Sequence, residues 1–154
     1  VRSQINLVPN PSFEIIDSCP TYQDQLYLAF PWFKPTPNSS DLYNFCASSS
    51  SSSVPANWTG WQLPRTGNGY AGLSTYGGND IREYISSPLS DTLIFGQMYC
   101  IEFYVSLADA SFWANNRVGL HISRFAPVND GQIDTITALP QAYIDTTEIF
   151  LDTM

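Results

Sequence analysis

The sequence predicts an all-β chain, folded as an antiparallel β-sandwich of jelly-roll type. Three observations predict it: short runs alternate apolar and polar residues, Gly and Pro turns separate these runs, and no helical apolar period of any length occurs. With 154 residues, 44% of them hydrophobic and 14% aromatic, the chain has material for one sizeable core and is expected to form a single domain over 1–154.

Residues 5–8 read as a short strand stopped by Pro9-Asn10-Pro11, and residues 13–16 resume it beyond the kink. Residues 17–68 hold most of the prolines, the serine run from Ser48 to Ser53, and Asn57-Trp58-Thr59 with Trp61, so they are expected to form a long loop-rich insertion. Residues 70–76 alternate small and apolar side chains and end at Gly77-Gly78, and residues 81–85 read as a strand closed by Ser86-Ser87-Pro88. Residues 99–107 and 117–125 alternate as well. Parity then assigns faces: Ile101, Phe103, Val105 and Leu107 turn to the core with Val118, Leu120 and Ile122. Glu102, Tyr104, Ser106, His121 and Ser123 are committed to the opposite surface, and Arg82 and Tyr84 join them if 81–85 lies alongside.

Only 13% of residues are charged, and six Lys and Arg stand against fourteen Asp and Glu, a formal charge of −8. Nucleic acid and anionic membrane surfaces are not expected as partners, because phosphate binding depends on clustered cations and these six are scattered. No apolar stretch approaches the roughly 20 residues of a spanning helix, so membrane insertion is not expected. Ser, Thr, Asn, Tyr and Trp take the place of charge, a bias of extracellular β-proteins, and secretion or a cell-surface location is the expectation.

Cys19, Cys46 and Cys100 are odd in number and lack the spacing of a zinc site. Cys19 and Cys46 both lie in turn-rich sequence, where a disulfide would staple two loops with little core of their own; three free buried thiols are the alternative.

The sequence holds no nucleophile elbow, Walker loop or His-Glu-x-x-His, and His121 is its one histidine. As a surface or groove residue that forms hydrogen bonds, His121 needs no catalytic role. Glu102 has the same standing, since an arginine partner such as Arg82 or Arg117 accounts for it without chemistry. The expectation is a chain that is not an enzyme, with a glycoside-active enzyme using two of the carboxylates Glu83, Glu102 and Asp109 as the third reading.

Aromatic residues carry the best functional hint. Sugar rings present a flat face of C–H groups, and their binding sites use exposed Trp or Tyr as platforms with polar groups around the rim. Trp58, Trp61, Tyr76 and Trp113 are candidates. Burial against the Pro-rich loop, as anchors only, is the alternative preferred for Trp58 and Trp61. Trp113 is the preferred platform because its polar connection, residues 109–116, offers a large ring least core to join. A glycan groove is therefore expected over Glu102, Tyr104, His121, Arg82 and Tyr84, rimmed by Trp113. The competing expectation is a structural or adhesion module that positions neighbouring domains of a larger polypeptide.

Asn-Leu-Val-Pro-Asn-Pro-Ser-Phe-Glu at 6–14, Val-Pro-Ala-Asn-Trp at 54–58, Gly-Asn-Gly-Tyr-Ala-Gly at 67–72, Arg-Glu-Tyr-Ile at 82–85 and Phe-Tyr-Val-Ser-Leu-Ala-Asp at 103–109 occur in this order. In this the chain resembles a recurrent N-terminal β-sandwich domain of secreted and outer-membrane proteins of Bacteroidetes and, more distantly, carbohydrate-binding modules with the galactose-binding-like jelly roll. The resemblance implies an outer-membrane-associated location and a carbohydrate-binding-like role without catalysis. It also implies that Glu14 is a candidate ligand of a structural Ca²⁺, completed by backbone carbonyls and an acid near the C-terminus. Domains of this kind continue after a segment like 144–153 with further strands, so a sheet lacking its last strands is expected here.

Overall fold

The centre of the structure is strand β1 (Asp41–Asn44), all four of whose residues are buried. The computed structural model describes residues 5–77, 81–112, 118–127 and 136–143. β1 pairs antiparallel with β4 (Gly69–Gly72) in the register Asp41 to Gly72 and Asn44 to Gly69. Between them lies the hairpin of β2 (Ala56–Asn57) and β3 (Gly60–Trp61), and a third antiparallel pair joins β5 (Gly119–Leu120) to β6 (Ala142–Tyr143). The only other regular element among the described residues is the 3-10 turn Leu26–Leu28. Regular structure is thus antiparallel β, with no α-helix among the described residues.

Alternation gives β1 two different faces. Leu42, fully buried, packs with Leu28 and Ala29, and Phe13, Ile16 and Trp32 close over this cluster. Burial of one such leucine contributes roughly 1.5–3 kcal/mol. The Phe13 and Trp32 rings meet at 4.8 Å between centroids. On the other face Tyr43 stacks on its cross-strand partner Tyr70 at 5.1 Å. Gly72 makes this possible, because a Cβ there would lie 2.4 Å from the Tyr43 ring.

Two side chains of the opening motif hold the segments around β1. Asn10, in the left-handed region at φ 47°, is buried, and its amide nitrogen donates to the carbonyls of Ile15 (2.8 Å), Ala29 (3.2 Å) and Phe30 (3.1 Å). Its Oδ1 accepts from the Ile15 backbone N–H at 3.0 Å, and its own carbonyl accepts from the Trp32 indole at 2.8 Å. Glu14 accepts from the backbone N–H of Asn68 (2.7 Å) and Gly69 (3.1 Å) and from the Asn68 amide (2.9 Å). Gly67, at φ +71°, admits this carboxylate, since a Cβ would stand 2.4 Å from it. A disulfide joins Cys19 to Cys46 with 5.4 Å between Cα atoms, and Cys100 is free and exposed.

Several expectations need correction. Residues 17–68 are not merely an insertion: they contain β1, β2 and β3, including the strand at the centre of the core. Residues 5–8 and 13–16 form no strand, because the backbone of 10–17 is held by the Asn10 side chain and by Asp17 N–H to Leu28 carbonyl (2.9 Å) rather than by a ladder. Residues 81–85 turn back on 74–77 through Glu83 N–H to the Ser74 carbonyl and Gly77 N–H to the Ile81 carbonyl, both 2.8 Å, and only Ser86 forms a bridge, to Phe33. Residues 99–107 form no strand. Ile101, Phe103 and Val105, expected in the core, are 47%, 45% and 46% exposed. Of the described residues 118–125, only Gly119–Leu120 is a strand.

Candidate functional site

The turn between β2 and β3 is built by its own sequence. Asn57 Oδ1 accepts from the Thr59 backbone N–H (3.0 Å) and hydroxyl (2.6 Å), an Asx turn, and Gly60 follows at φ +134°. The Asn57 amide nitrogen donates to the Tyr70 hydroxyl (2.8 Å) and the Ser53 carbonyl (3.3 Å), which ties the turn to β4 and to the end of the serine run. The tip therefore presents Trp58, 57% exposed, on a fixed backbone.

The Trp58 ring is anchored at its N–H edge. Its indole N–H donates to Asp41 Oδ2 at 3.3 Å, and the same oxygen accepts the Tyr43 hydroxyl at 2.8 Å. Asp41 Oδ1 takes the Asp24 backbone N–H at 2.6 Å, and Asp24 in turn pairs with Lys34. Asp41, only 4% exposed, thus has three donors, the condition on which a covered carboxylate is tolerated. Burial, then the charge of Asp41, pushes the Tyr43 hydroxyl far above the ordinary tyrosine range. Burial raises Tyr70 as well, opposed by the Asn57 hydrogen bond.

An open cleft of about 380 Å³ is lined by Ser50, Ser51, Ser53, Ala56, Asn57 and Trp58. Ser51 Oγ shares a hydrogen bond with Ser49 Oγ at 2.8 Å, and Ser53 Oγ is bonded to the Ala56 carbonyl. The exposed Ser50 hydroxyl makes no side-chain hydrogen bond among the described residues. An anchored aromatic plane beside hydroxyl groups can stack a ring and bond its substituents.

The expected groove residues divide between two places. Residues 104–110 run antiparallel beside β3 and the turn before it. Ala110 N–H donates to the Thr59 carbonyl (2.9 Å), Asp109 Oδ2 accepts from Trp61 N–H (2.7 Å), and Ser106 donates to Gln62 (3.1 Å). At the far end the Arg65 guanidinium lies 3.6 Å over the Tyr104 ring, whose hydroxyl donates to Glu102. His121 belongs elsewhere, flanking the β5–β6 pair, with Nδ1 3.0 Å from the Leu139 carbonyl. The expected groove joining Tyr104 and Glu102 to His121 on one sheet is therefore not formed: 99–107 is no strand, 104–110 lies beside residues 59–65, and β5 pairs with β6. Arg82 and Tyr84 lie in a third setting: their carbonyls accept from Asn38 (2.7 Å) and Ser40 (2.9 Å), and the Tyr84 hydroxyl accepts from Ile136 N–H. Trp113 and Arg117 lie outside the described residues.

Three N–H donors point at the two Glu14 oxygens, and among the described residues no group of three or more His, Cys, Asp or Glu is placed to hold a metal ion; the acid near the C-terminus expected to complete a Ca²⁺ site lies outside the described residues. An open cleft adjoins this carboxylate, lined by Glu14, Ile16, Asn44, Phe45, Cys46 and Asn68. No helix among the described residues is long and apolar enough to cross a membrane.

Sequence reasoning named Trp58 among four aromatic candidates and missed Asp41 and Ser50. The signal for Asp41 was an acid beside Leu42 and Tyr43 in a short apolar run, a charge that needs partners if covered. Comparison with protein-family models, with curated proteins and with solved structures gives no match in any of the three.

Proposed function

We propose that this chain is a non-catalytic carbohydrate-binding module of a secreted or cell-surface protein, with Trp58 as its platform. The observation that carries the reading is the pairing of an outward, half-exposed Trp58 ring with an indole N–H held by buried Asp41. A platform fixed before binding loses little side-chain entropy when a sugar stacks on it. The serine hydroxyls of the cleft supply the polar rim. A secreted setting is supported by the Cys19–Cys46 bridge, which persists in oxidising compartments. The motif resemblance supports a jelly roll of the galactose-binding-like kind, an outer-membrane association, and neighbouring domains as partners.

A structural or adhesion module is the second reading, and the half-exposed Ile101, Phe103 and Val105 favour it, since contact with a neighbouring domain would cover them. Affinity electrophoresis and pull-down against an array of soluble and insoluble polysaccharides separate the two. The platform reading expects retardation by at least one glycan and its loss in Trp58→Ala with unchanged circular dichroism. Retention of binding in Trp58→Ala, or no binding by the parent chain, overturns it.

A further inference from the structure

We infer that the Trp58 cleft takes an electrically neutral glycan, held by ring stacking and hydroxyl-to-hydroxyl bonds without an ionic component. The inference rests on the platform reading and deepens it by naming the class of sugar.

The side chains lining the cleft are Ser50, Ser51, Ser53, Ala56, Asn57 and Trp58, none of which carries a charge. Several of their polar groups are already committed. Asn57 has both amide hydrogens on Ser53 and Tyr70 and its oxygen on Thr59, and Trp58 has its N–H on Asp41. What remains for a ligand is the Ser50 hydroxyl, the spare capacity of the Ser51 and Ser53 hydroxyls, and the face of the indole. Hydroxyls both donate and accept, and so match sugar hydroxyls, whereas a carboxylate or sulfate needs cations or aligned N–H donors.

The charged side chains bonded to the hairpin are acidic, and the basic groups near them are engaged elsewhere, Lys34 with Asp24. Asp41 stands at the N–H edge of the Trp58 ring, Asp109 accepts from Trp61 N–H, and the whole chain carries −8. The nearest basic residue along the hairpin, Arg65, is stacked on Tyr104. A uronic or sulfated sugar would enter this potential without a cation in the lining to receive it, while a neutral sugar loses nothing there. The cleft is open rather than enclosed, so it suits a residue within a chain as well as a chain end.

The test titrates the intact chain with soluble neutral glycans (β-glucan, mannan, galactan, xylan) and acidic ones (polygalacturonate, alginate, chondroitin sulfate). It reads tryptophan fluorescence and calorimetry at about 20 mM and about 500 mM NaCl, a range over which surface charge interactions are largely screened out. The expected result is binding to at least one neutral glycan with affinity changing by less than roughly twofold between the two salts. It is abolished in Trp58→Ala and weakened several-fold in Ser50→Ala. Preference for an acidic glycan, weakening steeply with salt and lost in Trp58→Ala, overturns the neutral assignment and leaves the platform standing. Binding indifferent to Trp58→Ala overturns both.

Discussion

Replacing Asn10 with alanine is the sharpest perturbation of the fold, because one side chain there holds three separate stretches of backbone. Its two amide hydrogens serve the carbonyls of Ile15, Ala29 and Phe30, and its oxygen receives the Ile15 N–H. Alanine removes two donor hydrogens and the acceptor of a third, leaving three carbonyls and the Ile15 N–H without this partner, and the loss is about 1 kcal/mol net for each of the three hydrogens. Alanine at φ 47° adds roughly 1 kcal/mol of backbone strain, so Asn10→Ala is expected to cost about 4 kcal/mol. Asn10→Gly relieves the strain but not the lost bonds and should cost about 3 kcal/mol. Equilibrium urea unfolding under non-reducing conditions, followed by tryptophan fluorescence and far-ultraviolet circular dichroism, measures both; on a chain of this size the alanine variant should melt roughly 8–16 °C lower. A loss below about 1 kcal/mol in Asn10→Ala, or a glycine variant less stable than the alanine variant, would refute the assignment of Asn10 as the tie between these segments.

The raised Tyr43 and Tyr70 give the fold an alkaline limit: below about pH 10 the hydroxyls are protonated in both folded and unfolded chains, and above it the unfolded chain alone releases protons, so stability falls as pH rises. Urea midpoints between pH 8 and pH 11 should show this decline, and Tyr43→Phe should flatten it while losing about 1–3 kcal/mol at neutral pH through the weakened satisfaction of Asp41. The disulfide closes a loop with a sequence separation of 27, so Cys19→Ser with Cys46→Ser should lose about 3.5 kcal/mol in the chain-entropy model, while thiol titration of the native parent chain reads one reactive group, Cys100. Glu14→Ala should speed hydrogen exchange at Asn68 and Gly69 and leave exchange at Leu42 unchanged, and a chelator should leave the melting temperature of the parent chain unmoved.

Local chemistry was legible where it acts alone. Tyr70 to Gly72 read as extended from their alternation, and the structure has β4 there because β1 lies beside it. The same alternation in 99–107 yields no strand, for a strand needs a partner as well as a pattern, and the residues along 104–110 spend their polar groups on the Trp58 hairpin. β1 was hidden for the opposite reason. Asp41-Leu42-Tyr43-Asn44 places polar side chains at both ends of a four-residue strand within Pro- and Ser-rich sequence, and only their partners, Trp58, Asp24 and Gly69 among them, explain their burial. The site divides in the same way. That Trp58 was a candidate platform followed from composition, whereas the carboxylate at its N–H edge joins residues 24, 41, 43 and 58, a convergence that spacing along the chain does not encode.

Mapping a glycan titration onto the assigned ¹H–¹⁵N spectrum, with the indole resonances of all four tryptophans resolved, tests the central claim most directly. The platform predicts progressive, saturable shifts at Trp58 Nε1–H and at the backbone amides of Ser50, Ser51 and Ser53, with a dissociation constant in the micromolar to millimolar range expected of a single stacked ring. It also predicts that the Trp32 indole, bonded to the Asn10 carbonyl, does not move. Saturable shifts centred on His121 and Leu139 with the Trp58 indole unmoved would contradict it.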